Sequence, residues 1–427
     1  MKHTLFFALV IGLLYSCSGK QLAQPKDYNA YLTTTHLDKA VEKNRTEIYF
    51  WQARVEKDAT SYVNLLELGY HYLHLHKLKG DVAHLAMGDS LLKVAAAKLN
   101  NSDPEMLQAL SQAAITQHQF QQAAQYNKLA FEKDASPYIH SLLQFDVGME
   151  LGQYGQAKAA LNKVKDRTSF DMLIRQAKYS DHTGDLESAI VLMETAFEKV
   201  KETNKTALYC WALSNLADMY GHAGRIADSY AAYLQVLQKD PAYLYALKGI
   251  GWIAYAHDKN MAEAKRIFNF INEQTHNPEM YLTLAEIAEY EGNMVEKNKW
   301  IEQFVNTVTQ PQYGVLYHKD LIEIYTGEKL HLEKAFRLAT GEVESRPTPE
   351  TYSWLAWVHL RKGDAAKAYQ LFNLHVKGRS FEPEVLLKGA YIMEVAGLQK
   401  EAEAYFKECL ASEFELGPVT TSALQKR

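Results

Sequence analysis

Residues 216–241, LADMYGHAGRIADSYAAYLQVLQKDP, decide how the chain folds. The stretch has neither the alternation of a β-strand nor a glycine-rich phosphate loop, and its small and aromatic residues recur at helical intervals. Residues three and four positions apart are neighbours on a helix surface, so the stretch predicts two amphipathic helices. The faces that these helices bury are marked by Leu216, Ala217 and Tyr220 in the first helix and by Ser229, Tyr233 and Val236 in the second.

Two residues predict where the helices end. Gly224 supplies the turn after the first helix, and Pro241 cannot continue the second. The small side chains of Ala217 and Ser229 let the two backbones approach closely, while the aromatic residues fill the space between successive hairpins. A single hairpin cannot bury its apolar face alone, so neighbouring hairpins must stack.

The same spacing recurs along most of the chain. Leu284-Ala285 precedes Gly292, Leu355-Ala356 precedes Gly363, and Gly389-Ala390 precedes Gly397, with units spaced by about 34 residues. In this pattern the chain resembles the tetratricopeptide repeat family over residues ~60–415, with nine or ten degenerate units, the weakest near 138–170 and 310–347. The resemblance implies an all-α fold, a right-handed superhelical α-solenoid of stacked hairpins.

Two other all-α arrangements are disfavoured. A compact bundle would not keep one period over this length, and the recurring glycines break the heptads that a coiled coil needs.

The N-terminus predicts export. MKHTLFFALVIGLLYSCSGK has one lysine before an apolar run that is too short to span a bilayer, which needs about 20 apolar residues. Leu14, Ser16 and Cys17 resemble a bacterial lipoprotein signal, which implies cleavage before Cys17 and a lipid on its thiol; Tyr15 is bulkier than is usual. We expect attachment to the outer membrane facing the periplasm, with the cell surface as the alternative.

The predicted organisation follows from these features. Residues 1–16 form the signal peptide and 17–37 the lipidated cysteine and a tether. One or more modified helical repeats occupy 38–103, the regular solenoid occupies 104–415, and 416–427 form a flexible tail.

The net charge and the number of cysteines limit the kinds of partner and the kinds of interaction that stabilise the fold. A net charge of −5 gives no global attraction to nucleic acid, so none is expected as a partner. Of three cysteines, Cys210 and Cys409 remain beside Cys17, too few for a disulfide framework. Apolar packing must therefore stabilise the fold.

The resemblance also implies a partner-binding groove, because first helices line the concave side in this family. Aromatic residues beside charged residues suit such a surface, since they offer large contact areas with few rotatable bonds. The repeat register predicts the groove residues Trp211, Asp218, His222, Tyr245, Lys248, Trp252, Tyr255, Glu286, Glu289, Tyr290, Trp357, Arg361, Tyr391 and Glu394, with Trp354 as an alternative to Trp357.

Catalytic and cofactor signals are weak. His71 and His74 share a helix face, and His76 and His84 lie nearby, but no Glu completes an HExxH motif. The nucleophile elbow and the phosphate and dinucleotide loops are absent from the sequence. We therefore expect no cofactor, no bound metal and no enzymatic activity, with a metal-binding protein or enzyme that uses His71 and His74 as the remote alternative.

The sequence thus predicts an exported lipoprotein that presents a concave groove to a peptide or protein. The alternative is a nutrient-capture lipoprotein that stacks sugars on its aromatic residues, although the short loops here disfavour a built sugar site. The identity of the partner and the oligomeric state do not follow from the sequence.

Overall fold

A computed structural model describes residues 21–327 and 331–427, and in these residues every regular element is helical. Ten antiparallel hairpins follow one another in the chain, each packed on the next. They are α3 (Tyr62–Lys79) with α4 (Val82–Lys98), α5 (Pro104–Thr116) with α6 (Phe120–Glu132), α7 (Pro137–Glu150) with α8 (Tyr154–Lys163), α9 (Phe170–His182) with α10 (Leu186–Lys201), α11 (Thr206–His222) with α12 (Ile226–Lys239), α13 (Leu244–Trp252) with α14 (Met261–Gln274), α15 (Glu279–Tyr290) with α16 (Met294–Val308), α17 (His318–Gly327) with α18 (Leu332–Ser345), α19 (Pro349–Arg361) with α20 (Ala365–His375), and α21 (Pro383–Val395) with α22 (Gln399–Ala411). The predicted all-α solenoid of tetratricopeptide-like hairpins is confirmed.

The decisive stretch folds as its spacing predicts. Ala217, Ser229 and Val236 are buried where α11 and α12 meet. Gly224, just past the end of α11, has a φ of 72°, a left-handed value that disfavours residues with a side chain. The spacing of small, aromatic and glycine residues therefore predicted both helices and the turn between them.

Further helical elements precede, extend or follow the ten hairpins. At the N-terminus, α1 (Pro25–Tyr28) leads through a 3₁₀ turn (Asn29–Tyr31) into α2 (Thr34–Lys57), which packs along α3. A π-helical turn (Ile253–His257) continues α13, and a 3₁₀ turn (Pro311–Tyr313) precedes α17. The chain ends in α23 (Glu413–Gln425). None of the described helices combines the length and apolarity needed to cross a bilayer.

The predicted tether, residues 17–37, is docked on the solenoid over the part that the structure describes. From residue 21 onward the segment packs on the solenoid, and the Asp258 carboxylate accepts hydrogen bonds from the backbone N–H groups of Leu22 (2.9 Å) and Ala23 (2.8 Å). Tyr28 is fully buried in the apolar core shared by α9 to α15. The prediction of a tether failed here because apolar residues spaced among polar ones bury one side of the segment. Residues 1–20, including Cys17, lie outside the described residues.

The predicted flexible tail is also wrong, because residues 416–425 belong to α23. Leu416, Thr421 and Leu424 are buried there. Gly417 breaks the helix with φ 75° and ψ 167°, and Pro418 then starts a new helical run. A proline suits the first turn of a helix, where a missing N–H is not needed, so Gly417-Pro418 redirects the chain without fraying it.

Successive turns of the solenoid touch each other about six hairpins apart. The backbone N–H of His276 donates to Lys79 O at 2.7 Å, and the Gln121 amide donates to Ser345 O at 2.8 Å. A methyl group placed on Gly152 would lie only 2.7 Å from Pro347 O. The coil is therefore tightly wound, and residues from successive turns surround its concave side.

Candidate functional site

The concave side holds an open cavity of about 640 Å³, here called the central cavity. Its walls come mainly from first helices, as the repeat register predicts for a concave side. Hairpins from the N-terminal half supply Glu150, Tyr154 and Asp181, and hairpins from the C-terminal half supply Asp320, Glu350, Trp354 and Glu382. Residues far apart in sequence thus meet because the coil brings them together.

Carboxylates outnumber cations in this lining. Eight acidic residues face four basic ones, an excess of four negative charges. Lys178 pairs with Glu150 at 2.8 Å and Lys319 pairs with Glu384 at 2.6 Å. The other two cations have their shortest ion pairs with carboxylates outside the lining: Lys388 contacts Glu323 at 2.8 Å, and Arg346 contacts Glu342 at 2.8 Å. Arg346 also lies 3.9 Å from Glu150.

Four of the lining carboxylates have no ion-pair partner among residues 21–327 and 331–427: Asp181, Asp320, Glu350 and Glu382. Burial raises the pKa of Asp320 to about 6, and the negative charges of Glu279 and Glu384 act in the same direction while Lys319 opposes them. The pKa of Glu382 rises to about 7 through burial and through the charges of Glu415, Asp181 and Glu350. A cation in the cavity would stabilise the ionised form of these carboxyl groups, so the cavity favours a cationic ligand.

The groove residues predicted from sequence fall into three groups, and the first group lies beneath α23. The Trp252 indole donates to Phe414 O at 2.9 Å, and His222 lies 3.9 Å from the Glu415 carboxylate. Tyr255 is fully buried and donates to Glu286 at 2.9 Å, next to Gly417. Residues 413–418, here called the occluding segment, therefore occupy the surface that the sequence predicts to be open.

Other predicted groove residues make contacts within the solenoid. Tyr245 donates a hydrogen bond to Asp218 at 2.8 Å. Two ion pairs of 2.8 Å join Lys248 to Glu279 and Glu289 to Lys297. The Tyr290 ring packs edge-on against Tyr255, and the Trp211 ring packs edge-on against Phe170. Trp211 and Tyr290 each keep 39% of their surface exposed. Partner contact by these side chains stays a prediction.

A third group lies near the C-terminal end of the solenoid. Trp357 donates to Thr326 Oγ1 at 3.1 Å, and Arg361 donates to Thr326 O at 3.0 Å. Glu394 forms an ion pair with Arg427, whose guanidinium also lies 5.2 Å from the ring of Tyr391. Trp354, the alternative to Trp357, is the one of the two that lines the central cavity, and it is only 6% exposed.

Two of the histidines of α3 make contacts within the fold. His71 Nδ1 lies 3.1 Å from Asn44 Oδ1, and His76 Nδ1 donates to Asp81 O at 2.9 Å. Burial lowers the pKa of His74 and of His76. Over the described part of the chain, no group of three or more His, Cys, Asp or Glu side chains is arranged to hold a metal ion.

Glu286 predicts a pH dependence of stability. Burial raises the pKa of this carboxyl to about 7, the charges of Glu289 and Glu384 add to the effect, and the Tyr255 hydroxyl opposes it. Because the folded pKa lies above the unfolded value, the stabilisation is complete below about pH 4.5 and is lost as the pH rises to about 7. We expect the free energy of unfolding to be about 1–2 kcal/mol lower at pH 8 than at pH 5 through this group.

Denaturant unfolding at both pH values measures this difference. Glu286→Gln should make the fall in stability between pH 4.5 and 7 shallower by this amount, leaving the contributions of Asp320 and Glu382, whose pKa values are also raised. Glu302→Gln, at an exposed site on α16, should leave the profile unchanged. An unaltered profile in the Glu286 variant would show that its carboxyl is not held in the protonated form.

Comparisons with known proteins add little to this geometry. No protein-family model matches the chain, and no curated protein sequence matches it significantly. Among solved structures, a tetratricopeptide repeat protein from Parabacteroides merdae is 14% identical, with 60% of this chain and 97% of that chain covered and a TM-score of 0.34. The APC/C hetero-tetramer Cut9–Hcn1 is 13% identical, with 96% and 99% covered and a TM-score of 0.35.

A human IFIT1 dimer with m7Gppp-AAAA is 12% identical, with 73% of this chain and 70% of that chain covered and a TM-score of 0.45. Similarity at this level gives no information about function, so the assignment of the fold rests on the hairpins themselves.

Proposed function

We propose that the protein is a non-catalytic scaffold that holds a segment of a protein or peptide partner on its concave side. The observation that carries the proposal is the central cavity, in which carboxylates without ion-pair partners lie beside aromatic walls. Aromatic faces and carboxylates together suit the aliphatic stem and cationic head of Lys or Arg. The same charge repels phosphate, so a protein segment is proposed and a nucleic acid is not.

The two cysteines that the structure describes support a role without covalent catalysis. Cys210 and Cys409 are fully buried, and burial raises the pKa of each thiol to about 12. A thiol in that state is a poor nucleophile at neutral pH. The proposal therefore assigns no catalytic residue and no cofactor.

Export and lipid anchoring form the second part of the proposal. They rest on the apolar run before Cys17 and on its match to a lipoprotein signal. We place the solenoid at the outer membrane facing the periplasm, where the concave side would meet a partner close to the lipid surface.

Site-specific photo-crosslinking in native membranes tests the scaffold function. A photoreactive phenylalanine analogue at position 350 or 382 faces the central cavity, and the same analogue at Val295 or Tyr49, which are 83% and 66% exposed, reports on the outer surface. We expect one discrete protein adduct from the cavity positions and none from the outer positions.

A Cys17→Ser variant separates anchoring from binding, because it should move the protein out of the membrane fraction while adducts still form with added membrane extract. Adducts of equal yield from inner and outer positions, or none from the cavity, would contradict a concave binding site.

A further inference from the structure

The occluding segment lies in the concave groove as a bound peptide would. Trp252 fixes its backbone through the hydrogen bond to Phe414 O at 2.9 Å. Gly221 makes room for the aromatic ring, because a methyl group there would lie 2.7 Å from Phe414 Cε1. The groove is thus shaped for one aromatic side chain at this point.

The chain crosses the groove at a position that only glycine fits well. A methyl group on Gly417 would lie 2.6 Å from Glu286 Oε1 and 3.2 Å from the Trp252 ring. The left-handed φ of 75° at the same residue then turns the chain into the run that starts at Pro418. The segment therefore contacts the groove through its backbone and one anchor residue.

The charge of the segment does not match the groove that holds it. Glu415 lies against both the groove and the central cavity, facing Glu382, Glu384 and Asp181. The His222 ring nitrogen lies 3.9 Å from its carboxylate, and among residues 21–327 and 331–427 no lysine or arginine forms an ion pair with it. The segment fits by shape, and its carboxylate adds to a negative excess that a basic residue would reduce.

We infer that this groove binds a protein segment that has an aromatic residue in the position of Phe414 and a basic residue in the position of Glu415, and that α23 is its intramolecular competitor. The inference rests on the proposed scaffold function and specifies the class of partner. A partner with this chemistry would gain contacts with the unpaired carboxylates of the cavity that α23 does not make.

Peptide binding to the full-length chain tests the inference. The probes are fluorescent peptides of residues 412–420 with the natural sequence, with Glu415→Lys, and with Glu415→Lys combined with Phe414→Ala. Because α23 competes, the apparent Kd depends on how often the groove is open. We expect the Glu415→Lys peptide to bind about tenfold more tightly than the natural peptide, and the doubly substituted peptide not to bind.

Two variants of the protein itself complete the test. Phe414→Ala in the full chain weakens the competitor and should tighten binding of the Glu415→Lys peptide. Glu415→Lys in the full chain should improve docking of α23 and slow hydrogen exchange in residues 419–425.

Equal affinities for the natural and the Glu415→Lys peptides, no peptide binding, or faster exchange in the Glu415→Lys chain would overturn the inference. If cavity-specific crosslinks to a partner still formed in that case, the proposed scaffold function would be retained and only the inferred class of partner would be rejected. If those crosslinks were absent as well, the scaffold function and the inferred class of partner would both be rejected.

Discussion

Replacing Arg346 by Gln is expected to loosen the contact between successive turns of the solenoid and to lower the free energy of unfolding by about 3 kcal/mol. The guanidinium donates to Glu342 Oε2 at 2.8 Å, and Glu342 is only 5% exposed. It also lies 5.3 Å from the Trp354 ring and 3.9 Å from the Glu150 carboxylate of the other turn. Its removal leaves the His318 ring, at 2.8 Å, as the hydrogen-bond partner of the Glu342 carboxylate.

The effect of this substitution should depend on pH in a defined direction. Burial raises the pKa of Glu342, but hydrogen bonds from His318 and Arg346 outweigh it and hold the pKa below its usual value. A lowered folded pKa gives stability that is present above the unfolded value and is lost as the pH falls through the folded one. The deficit of the variant should therefore be largest near neutral pH and shrink in acid.

Hydrogen exchange localises the loss, because a solenoid can open in parts. Protection should fall in α7, α18 and α19 first. Arg337→Gln removes an exposed arginine from α18, the helix that ends just before Arg346, and should change nothing. A uniform loss along the chain, or none, would mean that the contact between turns does not depend on Arg346.

The repeats were predictable because each hairpin is specified by neighbours in sequence. Spacing of small residues, aromatics and turn glycines fixes helix length and facing surfaces locally, as in α11 and α12. Even the segments with the weakest match, near 138–170 and 310–347, fold as the hairpins α7–α8 and α17–α18. Apolar periodicity tolerates the loss of individual consensus residues.

The occupied groove could not be predicted in the same way. Contacts such as Gln121 with Ser345 depend on the small rotation that each hairpin adds, summed over six hairpins. The unpaired carboxylates Asp320 and Glu382 come close together only once the rotations of all the intervening hairpins are added. Their positions in the sequence therefore do not predict that they share a cavity. For α23 a signal did exist: Gly417-Pro418 followed by Thr421 and Leu424 indicates a helix start with one buried face.

Replacing Tyr28 by Ala is expected to release residues 21–32 from the solenoid while leaving the hairpins folded. The ring is fully buried, and its hydroxyl donates to Glu263 at 2.6 Å. Removal of a buried aromatic ring costs about 3 kcal/mol, which corresponds to about a hundredfold rise in the released population. Under the proposed anchoring on Cys17, this segment joins the lipid to the solenoid, so its docking would fix the solenoid close to the membrane.

Limited trypsin digestion measures the release at Lys26, which lies within the segment. The Lys26 side chain is exposed, but the docked neighbours hold its backbone and should slow cleavage while the segment stays docked. The rate of cleavage after Lys26 should rise about a hundredfold in Tyr28→Ala, with unchanged cleavage elsewhere. Tyr49→Ala, at a position 66% exposed on α2, is the matched control and should cleave at the original rate. Unchanged cleavage in Tyr28→Ala would show that the hydrogen bonds from Leu22 and Ala23 to Asp258 hold the segment without the aromatic ring.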